Sequence, residues 1–317
     1  MAHDLRSDTV ASDLIDGDRE FLALLRKHAM LSIGQIAILQ GRSKQVLRRR
    51  TQVLREAGLI QSVMSGLGHR RGRPESLLML SAQGAAVLNE REPEGNCGAD
   101  PRPPAPNARC LEHQLLINWF HIHLVHLERS LPRLAIRFFP AFHHPIQATG
   151  GVPVAGRDQG ARHGGADEHA QSVPDGVFTI TDSQCGKTLL FFLEADLGTE
   201  TLASRKRGPG DVRQKILNYR AEFRAGGYKR YGGTNVPSLN GFRVLFVTQS
   251  ATRFAALCRL VAATSPSDFV WVTEERRMFA QGLTGRIWAR GGHGDVELQS
   301  ILGNSLACDC PIPDARS

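Results

Sequence analysis

Residues Ser32–Gly58 read SIGQIAILQGRSKQVLRRRTQVLREAG, and this stretch decides the fold of the first part of the chain. Ser32 is followed three residues later by Gln35, which is the spacing of a capping box and predicts the start of a helix. Gly41 ends that helix, because glycine readily adopts the left-handed conformation of a C-cap. Ser43 predicts the N-cap of a further helix that continues to the end of the stretch. The stretch therefore predicts two consecutive helices joined by a short turn.

The segments on either side complete a unit of three helices and a β-hairpin. Residues Arg19–Ala29 place apolar side chains at helical spacing and predict the first helix. After Gly58 the apolar period becomes that of strands, over Leu59–Ser65 and Ser76–Leu80, and the tip between them is rich in Gly and Arg. Three helices followed by a basic hairpin indicate a winged helix-turn-helix, in which the third helix enters the major groove of DNA.

The third helix is predicted to be amphipathic and basic. Its apolar residues are expected to form one buried stripe, made of Val46, Leu47, Val53, Leu54 and Ala57. The net charge of the chain is +8, and between Arg42 and Arg73 nine Arg or Lys residues stand against one acid, Glu56. Since nine minus one is eight, this window carries the whole excess of positive charge.

Basic side chains in these positions indicate double-stranded DNA as the partner, because they neutralise phosphates and can also read base edges. The residues predicted to contact DNA are Lys44, Gln45, Arg48, Arg49, Gln52 and Arg55 on the third helix, and Arg70, Arg71 and Arg73 in the hairpin tip. The alternative is a solvated basic helix beside a basic loop, with no partner.

A proline-rich segment precedes a second domain. Residues 92–109 contain five prolines and predict a semi-extended linker between a DNA-binding domain at 19–91 and an α/β domain at 110–290. Residues 1–18 are predicted as a flexible N-terminus and 291–317 as a C-terminal tail. The second domain reads as helix, three strands, helix, strand, helix, strand, which predicts a mixed sheet with flanking helices.

The elements of this second domain follow from its apolar periods and caps. The predicted helices are Leu111–Leu127, Asp211–Ala225 and Thr252–Thr264, and the predicted strands are Leu134–Phe139, Val177–Thr181, Thr188–Asp196, Phe242–Thr248 and Phe269–Thr273.

Three carboxylates fall at the ends of the predicted hairpin in the second domain. Asp175 precedes one strand, whereas Glu194 and Asp196 end the other and share a face because they are two residues apart. Lys215 and Tyr219, four residues apart, share a face of the next helix. Hard oxygen ligands suit Mg²⁺ or Mn²⁺, and a neighbouring lysine would stabilise negative charge on a phosphate. These five residues are the candidate catalytic set, with the three acids as candidate metal ligands.

Ion pairing explains the same spacing equally well. Glu194 and Asp196 would then be strand-end acids that pair with Arg205, Arg207 or Lys215, because ion pairs also gather acids and lysines.

The order of these blocks resembles the replication-relaxation family, proteins of plasmids and other mobile elements. The resemblance is carried by LEHQLLIN at 111–118, PDGVF at 174–178, FFLEADLGTE at 191–200, KILNY at 215–219 and FRVLFVT at 242–248. It implies a DNA-binding protein that acts in plasmid or mobile-element replication or DNA relaxation.

The second domain is in turn similar to the PD-(D/E)XK nuclease superfamily, which implies a restriction-endonuclease-like sheet. By motif, Asp175 matches the first acid and Glu194 the second, and Lys215 and Tyr219 match a glutamine and a tyrosine of one nuclease branch. The superfamily places lysine two residues after the second acid, but this chain has Asp196 there. Either Lys215 or Lys206 has taken over that role, or the domain has lost cleavage and kept a DNA-binding surface.

The leading interpretation is a DNA-binding accessory or initiator-like protein, with double-stranded DNA and plasmid replication or mobilisation proteins as partners. The alternatives are a Mg-dependent endonuclease or nickase that uses Asp175, Glu194 and Asp196, and a winged-helix transcription regulator. The sequence shows no signal peptide and no apolar run of membrane-spanning length, which predicts a cytoplasmic protein without a membrane partner. The oligomeric state is left open.

Overall fold

The structure, a computed structural model, describes residues 14–64, 76–89, 108–139, 173–203, 211–232 and 239–312. Over these ranges the chain is a mixed α/β protein with eight α-helices, a three-stranded sheet and a six-stranded mixed sheet. Contacts divide the described residues into two compact units: unit 1 extends to Val125, and unit 2 covers His126–Ile312.

Unit 1 combines helices with a small antiparallel sheet. Its elements are α1 (Asp16–His28), β1 (Met30–Ser32), α2 (Ile33–Gln40), α3 (Lys44–Glu56), β2 (Ile60–Met64), β3 (Ser76–Leu80), α4 (Ala82–Asn89) and the first part of α5 (Ala108–Ser130). The strand order is β1-β3-β2, with β3 antiparallel to both neighbours. The hairpin strands lie where the sequence predicts them, whereas β1 is an additional strand that the sequence analysis did not predict.

The predicted caps of α2 and α3 are confirmed. The Ser32 hydroxyl accepts the N–H of Gln35 at 3.2 Å, and the Gln35 side chain accepts the N–H of Ser32 at 3.0 Å. Gly41 ends α2 at a φ of 64°, and Ser43 accepts the N–H of Val46 at 3.4 Å to start α3. These contacts satisfy backbone groups that a helix end leaves unpaired, so a few residues of sequence suffice to specify them.

The buried side of α3 is narrower than predicted. Leu47 and Leu54 are buried together with Thr51, but Val46 and Val53 are 46% and 45% exposed. Successive helical residues are about 100° apart, so each valine lies well round the helix from the leucine that follows it. The prediction that Val46 and Val53 belong to the core stripe is therefore wrong.

One arginine of α3 points inward. Arg50 forms an ion pair with Asp18, which is only 1% exposed, and the Arg50 Nε donates to Asp18 Oδ1 at 2.8 Å. This ion pair links α3 to the first turn of α1.

The first part of α5 packs within unit 1, although the sequence analysis assigned this helix to the second domain. Leu111 contacts Met30 and Leu77, and the Asn118 side chain donates to the carbonyl of Met30 at 2.6 Å. Most of the predicted linker at 92–109 lies outside the described residues.

Unit 2 is built around the six-stranded sheet. Its elements after α5 are β4 (Leu134–Phe139), β5 (Gly176–Asp182), β6 (Lys187–Asp196), α6 (Val212–Ala225), β7 (Phe242–Thr248), α7 (Ala251–Ala262), β8 (Val270–Glu274), α8 (Glu275–Gln281) and β9 (Ala289–Arg290), with 3₁₀ turns at Gly227–Tyr231 and Asn304–Leu306. The strand order follows the chain from β4 to β9. Strands β6, β7 and β8 are parallel, and the other neighbours are antiparallel.

The predicted order of helices and strands in this unit is confirmed, and α8 and β9 extend it. Part of the predicted C-terminal tail belongs to the unit as well, since Ile301 is fully buried and Gln299 bridges Trp288. The core side of β6 packs Phe192 against α6 and α7, so Glu194 and Asp196, which share its face, point toward the same two helices.

Candidate functional site

Helix α3 exposes most of the residues that the sequence predicts to contact DNA. Lys44 is half-buried, and the exposed residues are Gln45, Arg48, Arg49, Gln52 and Arg55. Among the described residues, Arg48, Arg49 and Arg55 form no ion pair, and Gln52 donates to Glu56 at 2.9 Å. The hairpin-tip arginines Arg70, Arg71 and Arg73 lie outside the described residues.

In unit 2, Glu194 is the centre of a buried polar cluster at the carboxyl end of β6. Its side chain is 2% exposed; the Tyr219 hydroxyl donates to Oε1 at 2.5 Å and the Lys215 Nζ donates to Oε2 at 3.0 Å. The Asp175 carboxylate accepts the N–H of Ala195 at 2.7 Å, which fixes it beside the end of β6. Asp175, Glu194, Lys215 and Tyr219 are thus brought together.

Helix α6 delivers Lys215 and Tyr219 one turn apart. The predicted cap at Asp211 is confirmed, because its carboxylate accepts the N–H of Arg213 at 2.9 Å and that of Gln214 at 3.4 Å. Lys215 also donates to the Glu200 carboxylate at 2.8 Å, so one ammonium bridges two acids.

Burial dominates the protonation of this cluster. It raises the pKa of Glu194 to about 7, with the charge of Asp175 acting in the same direction and Lys215 against it. Burial lowers the pKa of Lys215, but attraction to Glu194 and Glu200 outweighs it and holds that pKa above its ordinary value. Burial and the Glu194 charge together raise the pKa of Tyr219. At neutral pH the lysine is therefore charged, the tyrosine is neutral and Glu194 is near the midpoint of its titration.

Asp196 is held by a different helix. Its carboxylate accepts two hydrogen bonds from Arg253 of α7, from Nε at 2.7 Å and from Nη2 at 3.0 Å, and one from the N–H of Gly198 at 2.8 Å. Arg253 Nη2 also donates to the carbonyl of Glu200 at 2.7 Å, which ties down the loop after β6. Asp196 thus forms a bidentate ion pair with a partner that the sequence analysis did not consider.

The three predicted metal ligands are engaged by protein groups in this arrangement. Glu194 binds Lys215 and Tyr219, and Asp196 binds Arg253. Over the described ranges, no three His, Cys, Asp or Glu side chains are grouped so that they could hold a metal ion. The metal site at Asp175, Glu194 and Asp196 therefore stays a prediction.

A second group of buried titratable residues lies in unit 1. The rings of His28 and His121 are 4.7 Å apart between centroids, and His28 Nδ1 lies 3.4 Å from Asn118 Oδ1. Burial lowers the pKa of His28 to about 4 and that of His121 to about 3, and the nearby Lys27 charge adds to both shifts. Both rings are therefore neutral at physiological pH.

An open groove of about 430 Å³ in unit 2 is lined by arginines. Its residues are Arg276, Arg277, Ala280, Gln281, Arg286 and Leu298. Arg276 and Arg277 both pair with the buried Glu274, at 2.7 and 3.0 Å. Arg286 pairs with Glu297, so every arginine of the groove has an acidic partner.

The profile of the replication-relaxation family matches residues 22–236, about two thirds of the chain. The chain belongs to the replication-relaxation family. Membership indicates a role in replication or in the processing of mobile-element DNA. Comparison with curated proteins and with solved structures found no match.

The matched range of this replication-relaxation protein contains helix α3 and the cluster of Asp175, Glu194, Lys215 and Tyr219. Arg253 lies beyond it, as does the FRVLFVT block that forms β7. None of the helices in the described part of this family member has both the length and the hydropathy of a membrane span.

Glu200 and Arg253 were not among the residues predicted from the sequence. Glu200 is the last residue of the FFLEADLGTE block, and an acidic residue four positions after Asp196 could have been recognised from the sequence as a member of the cluster. Arg253 is 57 residues from Asp196 and carried no local signal. Only the parallel pairing of β6 with β7, which leads into α7, brings the start of α7 to the end of β6.

Proposed function

We propose that this replication-relaxation protein binds double-stranded DNA, with unit 1 acting as a winged helix and α3 as the helix that enters the major groove. The observation that carries the proposal is the solvent-facing side of α3, where Arg48, Arg49 and Arg55 are exposed without acidic partners among the described residues. A surface arginine without a partner keeps its full charge for an incoming phosphate.

The surroundings of α3 support this reading. Three helices precede the antiparallel pair β2 and β3, which is the element order of a winged helix-turn-helix. The segment between β2 and β3 carries Arg70, Arg71 and Arg73, so a second basic element follows the helix in sequence. In a mobile element, such binding would bring unit 2, or replication and mobilisation proteins, to the DNA.

Salt-dependent binding tests this function. The double variant Arg48→Ala/Arg55→Ala removes two predicted phosphate contacts from one side of α3. We expect its affinity for a mixed-sequence 30-base-pair duplex to fall about tenfold or more. The slope of log K against log salt should flatten by about 2, since binding releases fewer counterions when two phosphate contacts are lost. Fluorescence anisotropy between 50 and 200 mM NaCl measures both quantities.

The control removes the same formal charge elsewhere. Arg213 and Arg224 are exposed on α6 of unit 2, and the variant Arg213→Ala/Arg224→Ala should keep the wild-type affinity and slope. If both double variants lose affinity equally, net charge explains the binding and α3 is not the DNA-contacting helix.

A second candidate function is DNA nicking by unit 2 with a restriction-endonuclease-like fold. It is favoured by the convergence of Asp175, Glu194, Lys215 and Tyr219 at the end of one strand. Supercoiled plasmid incubated with Mg²⁺ or Mn²⁺ tests it, with Asp175→Asn and Glu194→Gln as near-isosteric variants. Nicking that both substitutions abolish would establish an enzyme. DNA binding without nicking in all three proteins would assign unit 2 to binding and assembly.

A further inference from the structure

The exposed side of α3 carries two valines that attraction between arginine and phosphate does not explain. Val46 and Val53 are 46% and 45% exposed, although each neighbours a leucine that is buried in the core of unit 1. They are seven residues apart, or two helical turns, and therefore lie on one line along the helix.

Helical geometry divides the exposed side of α3 into three adjacent rows. At about 100° per residue, the middle row points directly away from the buried Leu47, Thr51 and Leu54, and the other two rows flank it. In order round the helix, the rows are Arg48 with Arg55, then Gln45, Arg49, Gln52 and Glu56, then Val46 with Val53. The face is thus cationic on one flank, hydrogen-bonding in the middle and apolar on the other flank.

The major groove of DNA offers the matching chemistry. It presents phosphates along its edges, donors and acceptors on the base pairs, and a single apolar group, the C5 methyl of thymine. Glutamine pairs well with adenine and arginine with guanine, which suits the middle row. We propose that Val46 and Val53 contact thymine methyl groups and that α3 selects two thymines in its target. This inference rests on the proposed DNA-binding function.

The spacing of the two thymines follows from the helix. Seven residues at about 1.5 Å per residue separate Val46 from Val53 by about 10 Å. At 3.4 Å per base-pair step, this distance spans at most about three steps of the duplex, because a helix inclined to the duplex axis covers fewer. The inferred target therefore carries two thymine methyl groups no more than about three steps apart in one major groove.

A second copy of the chain fits this face poorly. Two α3 helices packed face to face would bring their Arg48, Arg49 and Arg55 side chains together, and each face has only Glu56 to offset them. Juxtaposed like charges disfavour such an interface, whereas a polyanion is attracted to it.

Uracil substitution tests the inference, because uracil is thymine without the methyl group. The full chain is used to select a duplex from a random 20-base-pair pool, and each thymine of the selected duplex is then replaced by uracil in turn. We expect two positions, no more than about three steps apart, at which the wild type loses about three- to fivefold in affinity, the effect of one buried methyl group. Val46→Ala should abolish the loss at one position and Val53→Ala at the other.

Controls separate the possible failures. Both valines are exposed and alanine favours helix, so the variants should fold, and Val296→Ala at an exposed site of unit 2 should keep both uracil effects. Uracil effects that persist in Val46→Ala and Val53→Ala, or that are absent from the wild type, would overturn the inference while DNA binding stands. A chain that binds no duplex would overturn the proposed function too. Sedimentation showing that Val46→Ala or Val53→Ala dissociates a DNA-free oligomer would assign the valines to a protein interface instead.

Discussion

Helix α3 of unit 1 and the end of β6 in unit 2 both carry several charged side chains, but these differ in burial and in ion pairing. On α3, Arg48, Arg49 and Arg55 are exposed and form no ion pair among the described residues. At the end of β6, Glu194 and Asp196 are buried and bound by Lys215 and Arg253. A buried charge is costly without a partner, whereas an exposed one is stabilised by water. The arginines of α3 are therefore available to a ligand, and the charges of β6 are committed to the fold.

The two units also differ in their buried titratable groups. Burial holds the rings of His28 and His121 in unit 1 neutral, and it raises the pKa of Glu194 in unit 2. The pKa shifts have opposite signs, because burial makes the two histidines harder to protonate and makes Glu194 harder to deprotonate. The stabilities of the two units should therefore respond to pH in opposite directions.

The largest expected effect comes from breaking the Asp196 pair. Arg253→Met leaves the carboxylate of Asp196 buried without its bidentate partner, which should destabilise unit 2 by about 3 to 5 kcal/mol. Hydrogen exchange of peptides from β6 and α7 measures the loss, and peptides from α1 to α3 report on unit 1. Arg259→Met, an exposed arginine of the same helix, serves as the control. Equal hydrogen-exchange protection of β6 and α7 in the two variants would show that the Asp196–Arg253 ion pair does not stabilise unit 2.

The second-largest effect should be a loss of stability of unit 1 at acid pH. The folded pKa values of His28 and His121 lie below the ordinary value near 6.5, so their contribution to stability is present above pH 6.5 and is lost as pH falls. From pH 7.5 to 5 the expected loss is about 2 kcal/mol for each ring. This loss of stability is measured by hydrogen exchange of the α1 amides, corrected for the pH dependence of the intrinsic exchange rates. His121→Phe should flatten the response, and His126→Gln on the same helix should leave it unchanged.

Unit 2 should respond in the opposite direction through Glu194. Because its folded pKa is raised to about 7, its contribution to stability is full below about pH 4.5 and is lost as pH rises through 7. The expected loss is on the order of 2 to 3 kcal/mol. Glu194→Gln should remove this slope from the hydrogen exchange of β6, while Glu200→Gln, at the more exposed acid, should retain it. A slope that survives Glu194→Gln would assign it to another group.

The smallest effect belongs to the exposed arginines. Arg48→Ala/Arg55→Ala should change the free energy of unfolding by less than about 0.5 kcal/mol, since both side chains are exposed and alanine favours helix. Urea denaturation followed by circular dichroism measures it on the same variant that tests DNA binding. A loss above about 1 kcal/mol would mean that these arginines stabilise the fold as Arg253 is expected to do, which would contradict the proposed difference between the two regions.

Local signals predicted much of the fold. The caps at Ser32, Ser43 and Asp211 form as expected, and Leu134–Phe139 and Phe242–Thr248 are strands with the predicted bounds. The short strand β1 and the final elements α8 and β9 were missed, because two to seven residues carry too little periodicity to be recognised.

The candidate sites were predicted only in part. The sequence placed Glu194, Lys215 and Tyr219 near one another, since strand and helix periodicity fix which residues share a face. It did not predict Arg253 as a partner of Asp196, and it assigned Val46 and Val53 to the core. Both outcomes have one cause, because the width of a buried stripe and the identity of a distant partner depend on how elements pack.

By itself, then, the sequence determined the helix caps, the strand periods, the concentration of positive charge on α3 and the family to which the chain belongs. These properties arise from residues a few positions apart or from composition. The tertiary structure decided that Arg253 holds Asp196 across 57 residues and that Asn118 lies beside His28 across 90. Such contacts exist only once strand register and helix packing are fixed, and burial then sets which charges need a protein partner and which can stay exposed to solvent.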